Sequence, residues 1–422
     1  MTYSETISYL YGLEATRGWD LKLERMRSAL AALGHPERAF SSVLIAGTNG
    51  KGTTSALVEA ALREAGVRVG LYTSPHLVHF TERVRVDGTE VERDDVVRWV
   101  REICSRTPPE ETGLTFFEVA TLLAIFAFAQ KNVEVAVLEV GLGGRLDATN
   151  AVDPICSAVT SIGLDHQAYL GDCLGDIAKE KAGVMRRGRG TVLGTCIPEE
   201  AARVLVARAR EVGADLIEAI EPSGGLPPLA IPGAPARENG RVAWALLDRL
   251  ETCLPGLRVS CEARSLGWER VRWPGRMEVI PGQPTWILDG AHNEESMDRL
   301  CEELPRLVEG PVRLLFAALD DKPWEQMAGK LLPLISSVSV VGLPGQRRAV
   351  EPIRLARAFG DRKPLRTAPE PIAELRRMEE EDDRTPILVA GSLFLVGEVY
   401  GERLERLGCT SVYRCPPGWE NR

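Results

Sequence analysis

No stretch of this chain is apolar for long enough to cross a bilayer. The longest, Val119 to Ala129, is bounded by Glu118 and Gln130. It falls well short of the roughly 20 residues that a spanning helix needs and predicts a buried helix instead. Basic residues are in deficit, with 51 Lys and Arg against 60 Asp and Glu, a formal net charge of -9. Coating nucleic acid requires a basic face, so that class is excluded, while a local basic pocket remains allowed. The 9 cysteines include no C-x-x-C pair and are odd in number. That argues for reduced thiols, against a zinc site or a disulfide framework. The first residues, Met1 to Glu5, offer no basic region followed by an apolar run, so a cytoplasmic protein is expected, with no membrane and no nucleic acid among its partners. A G-x-S-x-G elbow is also missing, which excludes that form of serine catalysis.

The remaining composition is ordinary: 44% hydrophobic and 26% charged over 422 residues, a packed chain of two or three domains at roughly 150 residues each. Val43 to Ala46 enters a glycine-rich turn, Thr53 to Ala65 has helical periodicity, and Val67 to Tyr72 resumes as a strand. Asp94 to Ser105 reads as helix and Val133 to Val140 as a buried strand; Ala158 to Ile162 and Thr191 to Leu193 add strands, and Glu199 to Val212 an amphipathic helix. This alternation predicts an α/β fold with a mostly parallel sheet covered on both faces. Pro and Gly crowd between Pro222 and Pro235, and Val259 to Val279 carries short strand-like pieces, so an irregular β-rich part is expected over about 219–278. From Thr285 a second alternation begins, with strands ending at Asp289, Ala317, Val341 and Ala390 and a last helix from Ser392 to about Leu407. The domains expected are 1–278 and 279–422. The acidic run Glu379 to Asp383 predicts a solvated turn.

Chemistry concentrates at Gly47-Thr48-Asn49-Gly50-Lys51-Gly52-Thr53-Thr54, between a buried strand and a helix start. Backbone N–H groups point outward there and hold anionic phosphate. The spacing departs from G-x-x-x-x-G-K-[ST]: Ile45 stands where the first glycine belongs, and Gly52 separates Lys51 from Thr53. The physics survives, since the glycines allow close approach, Lys51 can reach terminal phosphates, and a hydroxyl remains for magnesium. Glu139 ends the apolar run Val135 to Leu138, where a sheet delivers a carboxylate to the edge that carries the loop. Magnesium coordination and a satisfied core glutamate both fit that position. His166, one of only 5 histidines, follows a strand beside Asp165; an ordinary polar role and a functional one both remain open.

Together the motifs resemble the folylpolyglutamate synthases and dihydrofolate synthases, amide ligases related to the Mur peptidoglycan ligases. The strings are Leu23 to Met26, Ala46 to Thr53, Thr73 to Leu77, Thr115 to Glu118, Glu139 to Asn150, Glu180 to Gly183, Asp289 to Asn293 and Gly391 to Phe394. In this order they cover nearly the whole chain. The resemblance implies a Mur-ligase-like ATPase domain followed by a smaller Rossmann-like domain that helps bind glutamate, with nucleotide in the cleft between them. It assigns Asn49, Gly50, Lys51, Gly52, Thr53 and Thr54 to ATP phosphates, and Ser74, Glu139 and His166 to magnesium. Lys181 matches a lysine carried as a carbamate, whose anionic oxygen can bind a second magnesium. Arg276 and Asp289 match ATP-binding positions, and His292 and Ser392 match groups near the glutamate or an acyl phosphate. The pterin-bearing substrate would meet Thr115, Phe116, Phe117 and Glu118, and Leu146, Asp147 and Ala148; for the two aromatics a core role is an equal alternative. The family's Gly-x-His-Gln-x-x-Asn appears here as Gly233 to Asn239, keeping Asn239 but lacking the His-Gln pair, which alters the adenine-side contacts.

The activity implied is ATP-dependent addition of L-glutamate to 7,8-dihydropteroate and to reduced folates through an acyl phosphate. Lys51, Lys181 and His292 would be the catalytic groups, two magnesium ions the cofactors, and a monomer the working unit. A peptidoglycan ligase acting on a UDP-sugar peptide is the same-chemistry alternative, and a nucleotide-operated switch the alternative from another class.

Overall fold

The computed structural model describes residues 1–17, 22–381 and 383–415. The chain divides into two compact units. The first comprises Met1–His76, Phe80–Ala230 and Pro235–Val271; the second comprises Leu77–His79, Ile231–Ala234 and Arg272–Arg422.

The first unit is built on an eight-stranded sheet of β1 (Ser41–Ala46), β2 (Val69–Tyr72), β3 (Val84–Val86), β4 (Thr89–Glu90), β5 (Val135–Glu139), β6 (Cys156–Val159), β7 (Gly190–Leu193) and β8 (Asp215–Glu218), in the order β4-β3-β2-β5-β1-β6-β7-β8. All neighbours are parallel except β3 with β2 and β4 with β3. The central strands are buried along almost their whole length, as a sheet covered on both faces demands. One cover is the helix Phe116–Gln130, apolar all round and buried from Val119 to Phe128. Such a helix has no face for water and forms only as part of a core. Chain order reverses about β1: the chain leaves it for β2 on one side and later returns to β6 on the other, which makes the carboxyl edge of β5, β1 and β6 a topological switch point, where open α/β sheets bind ligands.

The second unit holds β9 (Glu278–Ile280), β10 (Trp286–Leu288), β11 (Val312–Phe316), β12 (Ile335–Val341), β13 (Leu365–Ala368) and β14 (Ile387–Ala390), ordered β13-β12-β11-β14-β10-β9, parallel but for the edge strand β9. Two apolar clusters lie on its opposite faces, one around Phe316 and Phe359, the other around Trp286 and Tyr400.

Two expectations are corrected. The part over 219–278 is helical, not β-rich: helices Ala234–Cys253 and Cys261–Arg270 occupy most of it, and strand begins only at Glu278. In the first helix Val242, Ala243, Leu246, Leu247 and Leu250 repeat at helical spacing and are buried; the second is held by packing, with Trp268 fully buried and its Nε1 donating to Leu57 O at 3.0 Å. Nor is the acidic run a merely solvated turn. Glu381 pairs with the buried Arg313 at 3.0 Å and Asp383 at 3.5 Å, because a guanidinium 3% exposed needs anionic partners. Asp382 lies outside the described residues.

Candidate active site

Parallel register brings the candidate residues of the first unit to one sheet edge. Ile45 lies opposite Glu139 and Ala46 opposite Val159, so the loop after β1, the carboxylate ending β5 and the segment after β6 stand at one level. Strand β2 ends level with Leu138 and delivers Ser74 two residues later. The Ser74 N–H donates to Glu139 Oε2 at 3.1 Å, and Glu139 is only 5% exposed. A carboxylate is thus buried at the edge with one oxygen oriented by backbone.

The loop itself is braced from β6. Asn49 N–H donates to Ser161 Oγ at 2.9 Å, Thr160 Oγ1 donates to Asn49 O at 2.6 Å, and Thr48 exchanges bonds with Gly163. The turn ends at Gly50, in the left-handed region at φ +85°, as the residue preceding the helix Lys51–Glu64. A Cβ there would lie 2.1 Å from Asn239 Oδ1, so only glycine lets the amide of Asn239 sit on the loop. Thr54 Oγ1 is buried and has no hydrogen-bond partner, an open donor at the start of that helix. Thr160 and Ser161 were not among the residues singled out from sequence. A hydroxyl pair directly after an apolar strand is the signal that could have found them.

Two lysines converge on one backbone oxygen. Lys51 Nζ donates to Gly47 O at 2.9 Å and to Thr48 O at 3.0 Å, and Lys181 Nζ reaches the same Gly47 O at 2.8 Å. Lys181, the last residue of the helix Leu174–Lys181, is 4% exposed. Crowding two cations on one oxygen is costly in a buried place unless an anion joins them or one cation changes sign. His166 holds a left-handed conformation at φ 52° and starts the short helix Gln167–Leu170; its Nε2 lies 4.0 Å from Asp165 Oδ1. Histidine tolerates that region better than most residues, at a cost of about 1 kcal/mol.

The residues expected to meet a pterin have strong structural roles as well. Thr115 and Glu118 form a capping box for the helix Phe116–Gln130: Glu118 N–H donates to Thr115 Oγ1 at 3.3 Å and Thr115 N–H to Glu118 Oε2 at 2.8 Å. Arg25 pairs with the other Glu118 oxygen at 3.1 Å. Phe116 is buried and stacks on Tyr11 at 5.5 Å, with the Arg83 guanidinium 5.2 Å from its ring, whereas Phe117 is half-buried, 6.1 Å from Tyr72. Asp147 is 1% exposed and accepts from Leu142 N–H, Thr149 N–H and Thr149 Oγ1 at 2.8, 3.0 and 2.6 Å. Burial raises its pKa, and those bonds oppose the rise. Leu146 beside it is half-buried and Ala148 buried.

In the second unit Asp289 follows β10. Its Oδ2 accepts from Met277 N–H at 2.8 Å and its Oδ1 from Ala291 N–H at 2.7 Å; burial raises its pKa, while the charge of neighbouring Arg276 pulls it down. His292 Nδ1 lies 2.7 Å from Gly290 O, which fixes the ring and places the proton on Nδ1 in the neutral tautomer. Ser392 is buried and caps the helix Leu393–Leu407, accepting from Phe394 N–H at 3.1 Å. Each of the last two side chains therefore already has one bond within the fold.

Residues 45–195 match the Mur ligase middle domain and residues 275–393 the Mur ligase glutamate ligase domain. Similarity extends over 94% of the chain to the probable bifunctional folylpolyglutamate synthase/dihydropteroate synthase of Haloferax volcanii, at 36% identity over 425 residues; the chain spans 50% of that longer protein. Among solved structures, FolC of E. coli in complex with DHPP and ADP superposes with a TM-score of 0.84 at 32% identity, covering 94% of this chain and 97% of that one. The chain belongs to the folylpolyglutamate synthase/dihydrofolate synthase family of Mur-type ligases. A further member, a bifunctional folylpolyglutamate synthase/dihydrofolate synthase solved with Mn, AMPPNP and L-glutamate bound, has a TM-score of 0.84 at 32% identity and covers 95% of this chain and 98% of that one. Among the described residues no helix is long and apolar enough to cross a membrane.

Proposed function

We propose that this ligase uses ATP to join L-glutamate to 7,8-dihydropteroate and, as a second activity, to the γ-carboxyl of reduced folates. The observation that carries the reading is the convergence of Lys51 and Lys181 on the Gly47 carbonyl, beside the loop that Thr160 and Ser161 brace. A polyphosphate placed there meets the lysine ammonium groups and the backbone N–H groups at the start of the helix Lys51–Glu64. Glutamate comes in through the relative solved with L-glutamate and the domain matched at residues 275–393.

Amide formation from a carboxylate is uphill in water, so the carboxylate first attacks the γ-phosphate of ATP, giving an acyl phosphate and ADP. The glutamate amine then attacks the acyl carbon and phosphate leaves. No nucleophilic side chain is needed, and the protein's work is positioning and charge. Lys51 offsets charge on the transferring phosphoryl group. Asn239, resting on Gly50, helps hold the nucleotide, and Arg276 and Asp289 contribute to the same task, the arginine through charge-assisted bonds.

The groups Ser74, Glu139 and His166 suit magnesium: one buried carboxylate, one hydroxyl and one imidazole leave room for water and phosphate oxygens, as that ion prefers. Magnesium, when bound, supplies Lewis-acid stabilisation of the phosphoryl oxygens. A carbamate on Lys181 turns one of two crowded cations into an anion and adds an oxygen ligand for a second ion. His292 and Ser392 act near the glutamate or the acyl phosphate, and Thr115 to Glu118 with Leu146 to Ala148 shape the pterin side. We assign two working domains, with the boundary at 271/272 in place of the expected 278/279 because β9 (Glu278–Ile280) belongs to the second sheet, a monomer as the working unit and the cytoplasm as its place.

The test is mass spectrometry of products from ATP, magnesium, L-glutamate and either dihydropteroate or tetrahydrofolate. Addition of one glutamate residue to each acceptor is expected. ATP hydrolysis indifferent to both acceptors would instead mark a nucleotide switch.

A further inference from the structure

The turn that carries Arg276 is gripped from two sides within the second unit. From the β10 side, Asp289 Oδ2 accepts from Met277 N–H at 2.8 Å and Gly290 N–H donates to Gly275 O at 2.9 Å. From the helix Leu393–Leu407 come Leu393, Val396 and Tyr400, which share one face at helical spacing. A Cβ on Gly275 would lie 2.8 Å from Val396 Cγ1, and one on Gly290 would lie 2.4 Å from Leu393 Cδ2 and 2.7 Å from Arg276 Nη1. Helix, turn and guanidinium are thus packed so closely that both positions need glycine. Met277 holds φ +49°, a left-handed conformation that a methionine keeps only where its surroundings impose it.

Tyr400 closes the arrangement with a hydrogen bond. Its O–H donates to Glu278 Oε2, the same oxygen that accepts from Gly275 N–H at 2.9 Å. Glu278 therefore clasps the turn across Arg276, from the residue before it to the second residue after it. Tyr400 is fully buried. Burial, reinforced by the charge of Glu278, holds its pKa well above the ordinary phenol value, so the O–H stays a donor wherever the enzyme works. A phenylalanine would fill the surrounding apolar cluster equally well. What the hydroxyl adds is its hold on Glu278.

We propose that Tyr400 and Glu278 are positioning residues for Arg276, fixing the turn so that the guanidinium is aimed at a nucleotide phosphate before ATP arrives. The inference rests on the ligase reading, in which Arg276 binds ATP, and extends it to two residues that act only through that arginine. Without the clasp the guanidinium samples several directions, and ATP must order it on binding.

The experiment measures kcat and the KM for ATP and for dihydropteroate in the wild type, Tyr400→Phe, Glu278→Ala, Glu278→Gln, Arg276→Ala and the double variant Arg276→Ala/Tyr400→Phe, with urea unfolding as a control on each fold. In Tyr400→Phe and Glu278→Ala the KM for ATP should rise roughly three- to tenfold, the orientation that one hydrogen bond supplies, with the KM for dihydropteroate unchanged. Glu278→Gln, whose amide oxygen accepts both bonds, should stay near wild type. In the Arg276→Ala background Tyr400→Phe should change the KM for ATP no further, a non-additivity that a merely structural role does not produce. Glu278 is half-buried, so Glu278→Ala decides the matter should Tyr400→Phe fail to fold. An unchanged KM for ATP, equal rises for both substrates, or additive effects in the double variant would overturn the positioning role, while amide formation by the wild type leaves the ligase reading standing. A wild type that forms no amide would overturn both.

Discussion

Lys181 carries the heaviest proposed role of any single side chain, and its surroundings explain why. It is buried at the end of a helix, donates to Gly47 O, and shares that oxygen with Lys51. If it acts as a carbamate, Lys181→Ala loses turnover by at least about a hundredfold, as removal of a pre-placed electrostatic group does, and short carboxylic acids restore part of it by supplying the missing anionic oxygens. Turnover indistinguishable from wild type would refute the carbamate, and loss without rescue would leave Lys181 only a structural cation. The residue scale is also where the sequence was most and least informative. Lys51 and Glu139 announce themselves by position, a lysine in a glycine-rich turn and a carboxylate ending an apolar strand, whereas Lys181 is marked only by the family resemblance. Thr160 and Ser161 do not announce themselves, because hydroxyl residues after a strand are common and their bracing of Asn49 depends on a parallel neighbour more than a hundred residues away.

At the scale of elements, two local devices hold the site's walls. The capping box of Thr115 and Glu118 anchors the apolar helix Phe116–Gln130, so Thr115→Ala should cost about 1 kcal/mol of stability, visible as a lowered urea midpoint of the first unit. Unchanged stability together with a raised KM for dihydropteroate would mean that the hydroxyl serves the substrate instead. Asp289 ties β10 to the segment at Met277 with one oxygen and to Ala291 with the other. Asparagine has only one such acceptor and would aim an amide at an N–H, so Asp289→Asn should destabilise the second unit by about 1 to 3 kcal/mol, measured by denaturant unfolding. The capping box went unread although T-x-x-E ahead of an apolar run is its signature, while most helices and strands of both alternations were legible from their periods. The helix Cys261–Arg270 was not. Its apolar residues follow no clear face, and contact with the helix Lys51–Glu64 through Trp268 decides its form.

At the scale of the whole molecule, fold class and family were readable because eight separated strings recur in one order, which no local property of the chain would produce. The β-rich reading of 219–278 failed because Pro and Gly before a helix look like the turns of a small sheet; the burial of Val242, Leu246 and Leu250 settles the matter. The central claim is that an acceptor carboxylate is activated by phosphoryl transfer, and oxygen labelling tests it most directly. Dihydropteroate labelled with ¹⁸O in its carboxylate is turned over with ATP, magnesium and L-glutamate, and the released phosphate is analysed. The account predicts one labelled oxygen in each phosphate formed with product. Unlabelled phosphate accompanying the amide product would contradict it.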